Sequence, residues 1–292
     1  NRIESNFIGT GVSGTTAPGN HTNGVLIDES CDNTIGGATR VLGNLISSNG
    51  TLEPVTQGAG VQIAGPGATG NHVQNNLIGT DITGTLDLGN IYGILISDAP
   101  ANFVGGAAGV TGNIISGNNL GLAIIGSAAA GNTVQGNFIG TDVTGTRPLG
   151  NGCGCGGGVF IQSAPRNTIG GTAAGTGNVI SANDGFGLVL QLSQATENVV
   201  QGNFIGTDVS GSLALGNSLD GVSIQDARGN IIGGTSPDAG NVISANGSNG
   251  VVIASTGASG NLVQGNLIGT DKTGAVALGN HEDGVFLEGP EN

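Results

Sequence analysis

Repetition constrains this chain more than any other feature. The segment NFIGTDVSGSLALGN at Asn203 recurs in variant form at Asn6, Asn76, Asn137 and Asn266, and a fixed period sets how every motif inside it is read. A shorter G-V-x-I element begins at Gly24, Gly60, Gly93, Gly121, Gly158, Gly187, Gly221, Gly250 and Gly284, a step of roughly 32 residues that falls in the range of solenoid repeats. Each unit carries three short apolar pieces, for example Gly221-Val-Ser-Ile, Asn230-Ile-Ile-Gly-Gly and Asn241-Val-Ile-Ser. None is long enough for a helix, and the branched aliphatics sit two apart, the period of a strand. Strands this short cannot bury a face alone. Stacked turn on turn, each pairs in parallel with its equivalent and closes a continuous core.

The reading is therefore an all-β parallel β-helix with three short strands per turn, a single solenoid domain over 1–292, either entire or a segment of a longer array. About nine turns at ~4.8 Å each make a rod about 43 Å long. Composition agrees: with 7 Phe, 1 Tyr and neither Trp nor Met, the interior has to be aliphatic. The inward columns are Val25, Val61, Ile94 and their equivalents to Val285, Ile27 to Leu287, Ile3 to Val263, and Ile8 to Ile268, with no polar interruption. Each such side chain contributes about 1.5–3 kcal/mol of gross burial. Asparagine forms two further columns, Asn33 to Asn261 and Asn6 to Asn266, placed where Asn tolerates a sharp bend and its amide can bond to the next turn.

The motifs GNVISAN at Gly240 and NFIGTDVTGT at Asn137 carry a resemblance that spans essentially the whole chain. It resembles the right-handed parallel β-helix repeat proteins of the pectin-lyase-like class, and most of all the Gly/Asn-rich bacterial secreted and surface arrays within it. Left-handed hexapeptide helices are the runner-up fold, but their six-residue step is absent. The resemblance implies an extracellular or cell-surface location and leaves function open, because one architecture hosts many functions.

Enzymes of that class work on polysaccharides with outward carboxylates clustered on neighbouring turns, joined in the lyases by an Arg or Lys base. Here the outward positions of the G-V-x-I strand run from Leu26 through Gln62, Leu95 and Phe160 to Phe286, and those of the N-x-I strand from Arg2 through His72 and Phe103 to Leu262, with no carboxylate in either. Acid/base pairs at glycosidase spacing have no visible home on the strands. No catalytic residue is assigned. His21, His72 and His281 lack partners at metal-like spacing, and Tyr92 is the one Tyr or Trp available for stacking on a sugar.

The T-D-x-T-G loops hold Asp81, Asp142, Asp208 and Asp271, while the first copy has Gly11. Such Asp residues ordinarily close their own turn. They are also the weak calcium candidates, and calcium is the only cofactor to consider. Lying on alternate turns, about 9.6 Å apart, no two of them can share an ion. Cys153 and Cys155 sit in NGCGCGGG, as a local disulfide, free thiols, a metal or attachment site, or an intermolecular bridge, with Cys31 about three turns away and out of reach.

A net charge of -14 works against nucleic acid and anionic membranes, and no apolar run is long enough for a membrane helix. The chain begins at Asn1 with no leader, as a processed, trimmed or partial product would. The expected function is a non-enzymatic extracellular structural or adhesive rod, with a polysaccharide-active lyase or glycoside hydrolase as the alternative. Its expected partners are further copies of itself, head-to-tail and laterally, and surface polysaccharide. Two expectations follow for the surface and ends. The outward apolar stripe Leu26, Leu95, Phe160, Val189, Val252 and Phe286 should be covered by loops or another chain. Asn1 would follow Gly284 of a preceding copy in single-turn phase, which fits either a longer array or a head-to-tail filament, but out of step with the alternation of short and long coils, which argues against a simple internal cut and which an interface between separate copies could tolerate.

Overall fold

The computed structural model describes residues 1–50, 58–106, 112–152, 157–236 and 238–289. Its strands run in repeating triplets: β1 (Arg2–Ile3), β2 (Phe7–Ile8), β3 (Val25–Asp28), then β4 (Thr34–Gly36), β5 (Leu45–Ile46), β6 (Ala59–Ala64), and so on to β25 (Leu262–Gln264), β26 (Leu267–Ile268) and β27 (Val285–Leu287). Every third strand joins the same sheet, giving three parallel sheets of nine strands. Nine rungs enclose eight full turns. The only other element among the described residues is a short 3-10 turn, Arg40–Leu42.

Register follows the apolar columns. Val25 pairs with Val61 and Ile27 with Ile63, Leu188 with Val222 and Leu190 with Ile224, and Val251 with Val285 at the far end. Val222 and Ile224 share the inward face, both fully buried, in one core cluster that runs from Val25 to Ile253. Only the end rungs leave core positions open: Val285 is 43% and Leu287 56% exposed.

Asparagine secures all three corners, where two were expected. In the ladder from Asn6 to Asn266, each side-chain oxygen accepts both the backbone N–H and the Nδ2 of the preceding rung, as Asn178 to Asn203 at 3.0 and 2.9 Å. The Nδ2 group also donates to a strand carbonyl, here Val134 at 2.9 Å. The ladder through Asn33 and Asn71 repeats this at another corner. A third, from Asn20 through Asn49, Asn90, Asn118, Asn151, Asn183, Asn217 and Asn246 to Asn280, closes the remaining one. Its members come from two different motifs, the final Asn of I-S-x-N and the Asn of L-G-N. On the inner rungs the amides are buried and their polar atoms are paired, which is the condition under which a buried polar group stabilises a structure.

The serine of I-S-x-N joins the two kinds of coil. Ser181 Oγ donates to the Thr207 carbonyl at 2.7 Å and accepts the Gly206 N–H at 3.0 Å. Gly206 itself has φ +88, and a Cβ there would collide with the Ser244 carbonyl and the Asn246 amide, so glycine is required on two independent counts.

Candidate functional site

The chain's distinctive surface lies over the middle sheet, β2 to β26. Its two-residue strands place one side chain inward and one outward, and the outward column is apolar throughout: Phe7, Leu45, Leu77, Ile114, Phe138, Val179, Phe204, Val242 and Leu267. Two walls of loops flank it. The T-D-x-T-G loops leave the odd rungs after this sheet, and the G-G…G-N loops leave the even rungs before it. Alternation gives each loop two rungs of height to fill.

In the T-D-x-T-G loops the carboxylates turn into their own turn. Asp81 is 2% exposed. Its oxygens accept the Thr83 hydroxyl at 2.9 and 2.7 Å and the amides of Thr85 and Leu86 at 3.0 Å. Asp208 and Asp271 do the same with Ser210 and Thr273, and Asp142 with Thr144. Burial alone would raise the Asp81 and Asp208 carboxyls, but the hydrogen bonds outweigh it and hold both below the usual carboxylate range. For Asp271 the Val276 amide is the leading cause of the same shift. Where Gly11 replaces Asp in the first loop, the buried Thr10 hydroxyl has no partner.

The loops also bond directly to one another, although their rungs lie about 9.6 Å apart. Ile82 N–H donates to the Gly14 carbonyl, Val143 to Gly84, Val209 to Gly145 and Lys272 to Gly211, at 2.8–3.0 Å. This stack forms an outer layer that lies on the middle sheet: Gly145 packs on the Phe138 ring and Gly211 on Phe204. The loop glycine, with φ +69 at Gly145, is needed both for the backbone turn and for this close approach.

Between the two walls the outer face stays partly open. A cavity of about 300 Å³ is lined by Ile114, Phe138, Val179, Phe204 and Val209, with Arg40 at its margin. A second of about 390 Å³ continues along the same face from Phe204 to Leu267 and Lys272. Packing against the protein lowers the Arg40 guanidinium from its ordinary range, although the side chain keeps solvent contact.

The expected apolar stripe on the β3-to-β27 sheet is covered in the middle except at Phe160, which is half-buried, and is open at its ends. Leu95, Val189 and Val252 are buried at 9%, 6% and 8%, whereas Leu26 and Phe286 are 55% and 40% exposed. Central strands such as β9 (Tyr92–Ser97) and β12 (Leu120–Ile125) run to six residues, and Tyr92, Leu120 and Ile125 pack over Leu95 and its neighbours. The shorter strands β3 and β27 end the sheet and have one neighbour each.

Of the histidines, His72 stacks on Phe103 with centroids 4.7 Å apart, and His21 and His281 are exposed. Cys31 is an exposed free thiol. Cys153 and Cys155 lie outside the described residues. No group of three or more His, Cys, Asp or Glu is assembled among the described residues in a way that could hold a metal. No protein-family model matches the chain, and a search of curated proteins finds no significant similarity.

Proposed function

We propose that this chain is a non-enzymatic structural or adhesive rod outside a bacterial cell, of the pectin-lyase-like class of right-handed β-helices. The observation that carries the reading is the periodicity of the surface. The same loop returns on alternate rungs and in four of its five copies presents an exposed apolar side chain, with Val12 97%, Ile82 42%, Leu213 63% and Val276 54% exposed, while the aspartate of the four copies that have one is spent on its own turn. Repeated weak contacts at a fixed pitch give avidity to a partner that is itself repetitive, such as further copies of the rod or a surface polysaccharide. Head-to-tail association of such rods belongs to the same reading.

Light scattering after size-exclusion chromatography, with negative-stain electron microscopy, tests this. Rods that lengthen or bundle with concentration, or that adhere to polysaccharide-coated beads, are expected. A monomer at every concentration that adheres to nothing and cleaves a polysaccharide from a substrate panel would overturn it.

A further inference from the structure

Away from the end rungs, the exposed apolar side chains of the described residues gather on the stacked T-D-x-T-G loops. Most of the others, such as Phe7, Leu26, Leu262 and Phe286, belong to the first or last rung of a sheet. In each loop that has the aspartate, the residue five places later donates its amide to that carboxylate: Leu86, Arg147, Leu213 and Val276, at 2.9–3.3 Å. Its side chain therefore leaves every loop at the same point. Leu86 is 59%, Leu213 63% and Val276 54% exposed, and Arg147 and Thr16, its equivalent in the first loop, are exposed too. The result is a ridge on the outside of the rod with one side chain about every 9.6 Å.

Arg147 is the one cation in this column, and the exposed Asp87 adjoins Leu86 on the loop before it. The Asp87 carboxylate is held at the loop surface by the Gly89 N–H at 2.8 Å. The only ion pair among the described residues joins Arg2 to Glu4, so Asp87 and Arg147 do not pair within the chain. Charge then selects how one ridge can meet another. Two rods laid parallel in register, or antiparallel about Arg147 itself, set like cations face to face, which is unfavourable. Antiparallel about a two-fold axis between the second and third loops, Asp87 of each copy faces Arg147 of the partner subunit, and the first loop, with the exposed Val12, faces the fourth, with Leu213. A two-fold contact makes each of these pairs twice and closes on itself. Chains of net charge -14 repel at long range, so a lateral contact needs apolar surface and a local cation together, and the ridge supplies both. We propose that two copies of this chain dock side by side, antiparallel, through the loop ridge, with Asp87 of each copy on Arg147 of the partner subunit. The inference rests on the rod reading above and narrows its lateral partner to a second copy, since only a second copy offers the reciprocal charge.

Sedimentation velocity on the full chain, over a wide range of concentration in moderate salt, reads the monomer–dimer equilibrium. A dimer is expected. Arg147→Asp sets carboxylates against each other and should weaken the dimer at least about tenfold, and Asp87→Arg should do the same with cations. The two changes combined reverse the sign of both pairs and should return the dissociation constant to within about threefold of the unaltered chain, a recovery that independent effects would not give. Circular dichroism establishes that each variant is folded; if one single reversal does not fold, the other decides. A monomer at every concentration, a dimer indifferent to both single reversals, or a double reversal weaker than either single one would overturn the proposal. Each of these results leaves the rod reading standing where the chain still adheres to polysaccharide-coated beads or lengthens end to end, so the two readings fail separately.

Discussion

At the scale of single residues, stability rests on amides and carboxylates whose bonding capacity is used within the structure. Asn178 is fully buried and linked to the Asn137 and Asn203 rungs. Asn178→Ala should cost about 1–3 kcal/mol, the price of unpaired polar groups, and Asn178→Asp more, because it places a charge in a buried ladder and removes two donors. Urea unfolding of the two variants checks both the sign and the order. The loop aspartates make a pH prediction. Asp81, Asp208 and Asp271 have depressed carboxyl pKa values in the folded state. Their contribution is present above the unfolded value of about 3.9 and is lost as pH falls through the lower folded values. Thermal melts from about pH 5 to about pH 3 should show a falling midpoint, with a shallower slope in Asp208→Asn.

At the scale of elements, the T-D-x-T-G loop is a packed layer. Its aspartate closes the turn, its glycine meets an outward apolar side chain of the middle sheet, and the residue after the aspartate bonds the loop two rungs below. Because the carboxylate oxygens already accept hydroxyl and amide donors, adding calcium or a chelator should leave the melting temperature unchanged; a clear rise with calcium would show that the loops rearrange around an ion. Gly206→Ala should destabilise by several kcal/mol, since it combines a left-handed backbone with a steric clash against the next rung. Circular-dichroism melts read this directly.

At the scale of the whole molecule, each rung touches only its neighbours, so local stability should rise from the ends inward. Hydrogen exchange should find the amides of β1 and β27 least protected and those of β12 and β15 (Gly157–Gln162) most protected. Ile224→Asp, in the buried column, should cost more than about 4 kcal/mol by burying an unpaired carboxylate. A loss confined to rungs near β21 (Val222–Gln225), rather than global unfolding, would show that the turns behave as semi-independent units.

The sequence by itself determined what is strictly periodic: the strands, the inward columns, their register and two asparagine ladders. Spacing within a strand is local, and the core tolerates no slip, since a one-residue shift would turn Ile224 and its whole column outward. The third ladder escaped because insertions of different length precede its members. Asn49 follows Ile46 almost directly, whereas Asn90 follows Ile78 across an entire loop, so constant position in space becomes variable position in sequence. The tertiary structure alone decided that loops on alternate rungs bond to each other, that the apolar stripe over Leu95 is covered, and that cavities remain along the outer face of the middle sheet. Each depends on how chain far apart in sequence folds back over a sheet, and the heights and widths of neighbouring rungs settle that only once the stack exists.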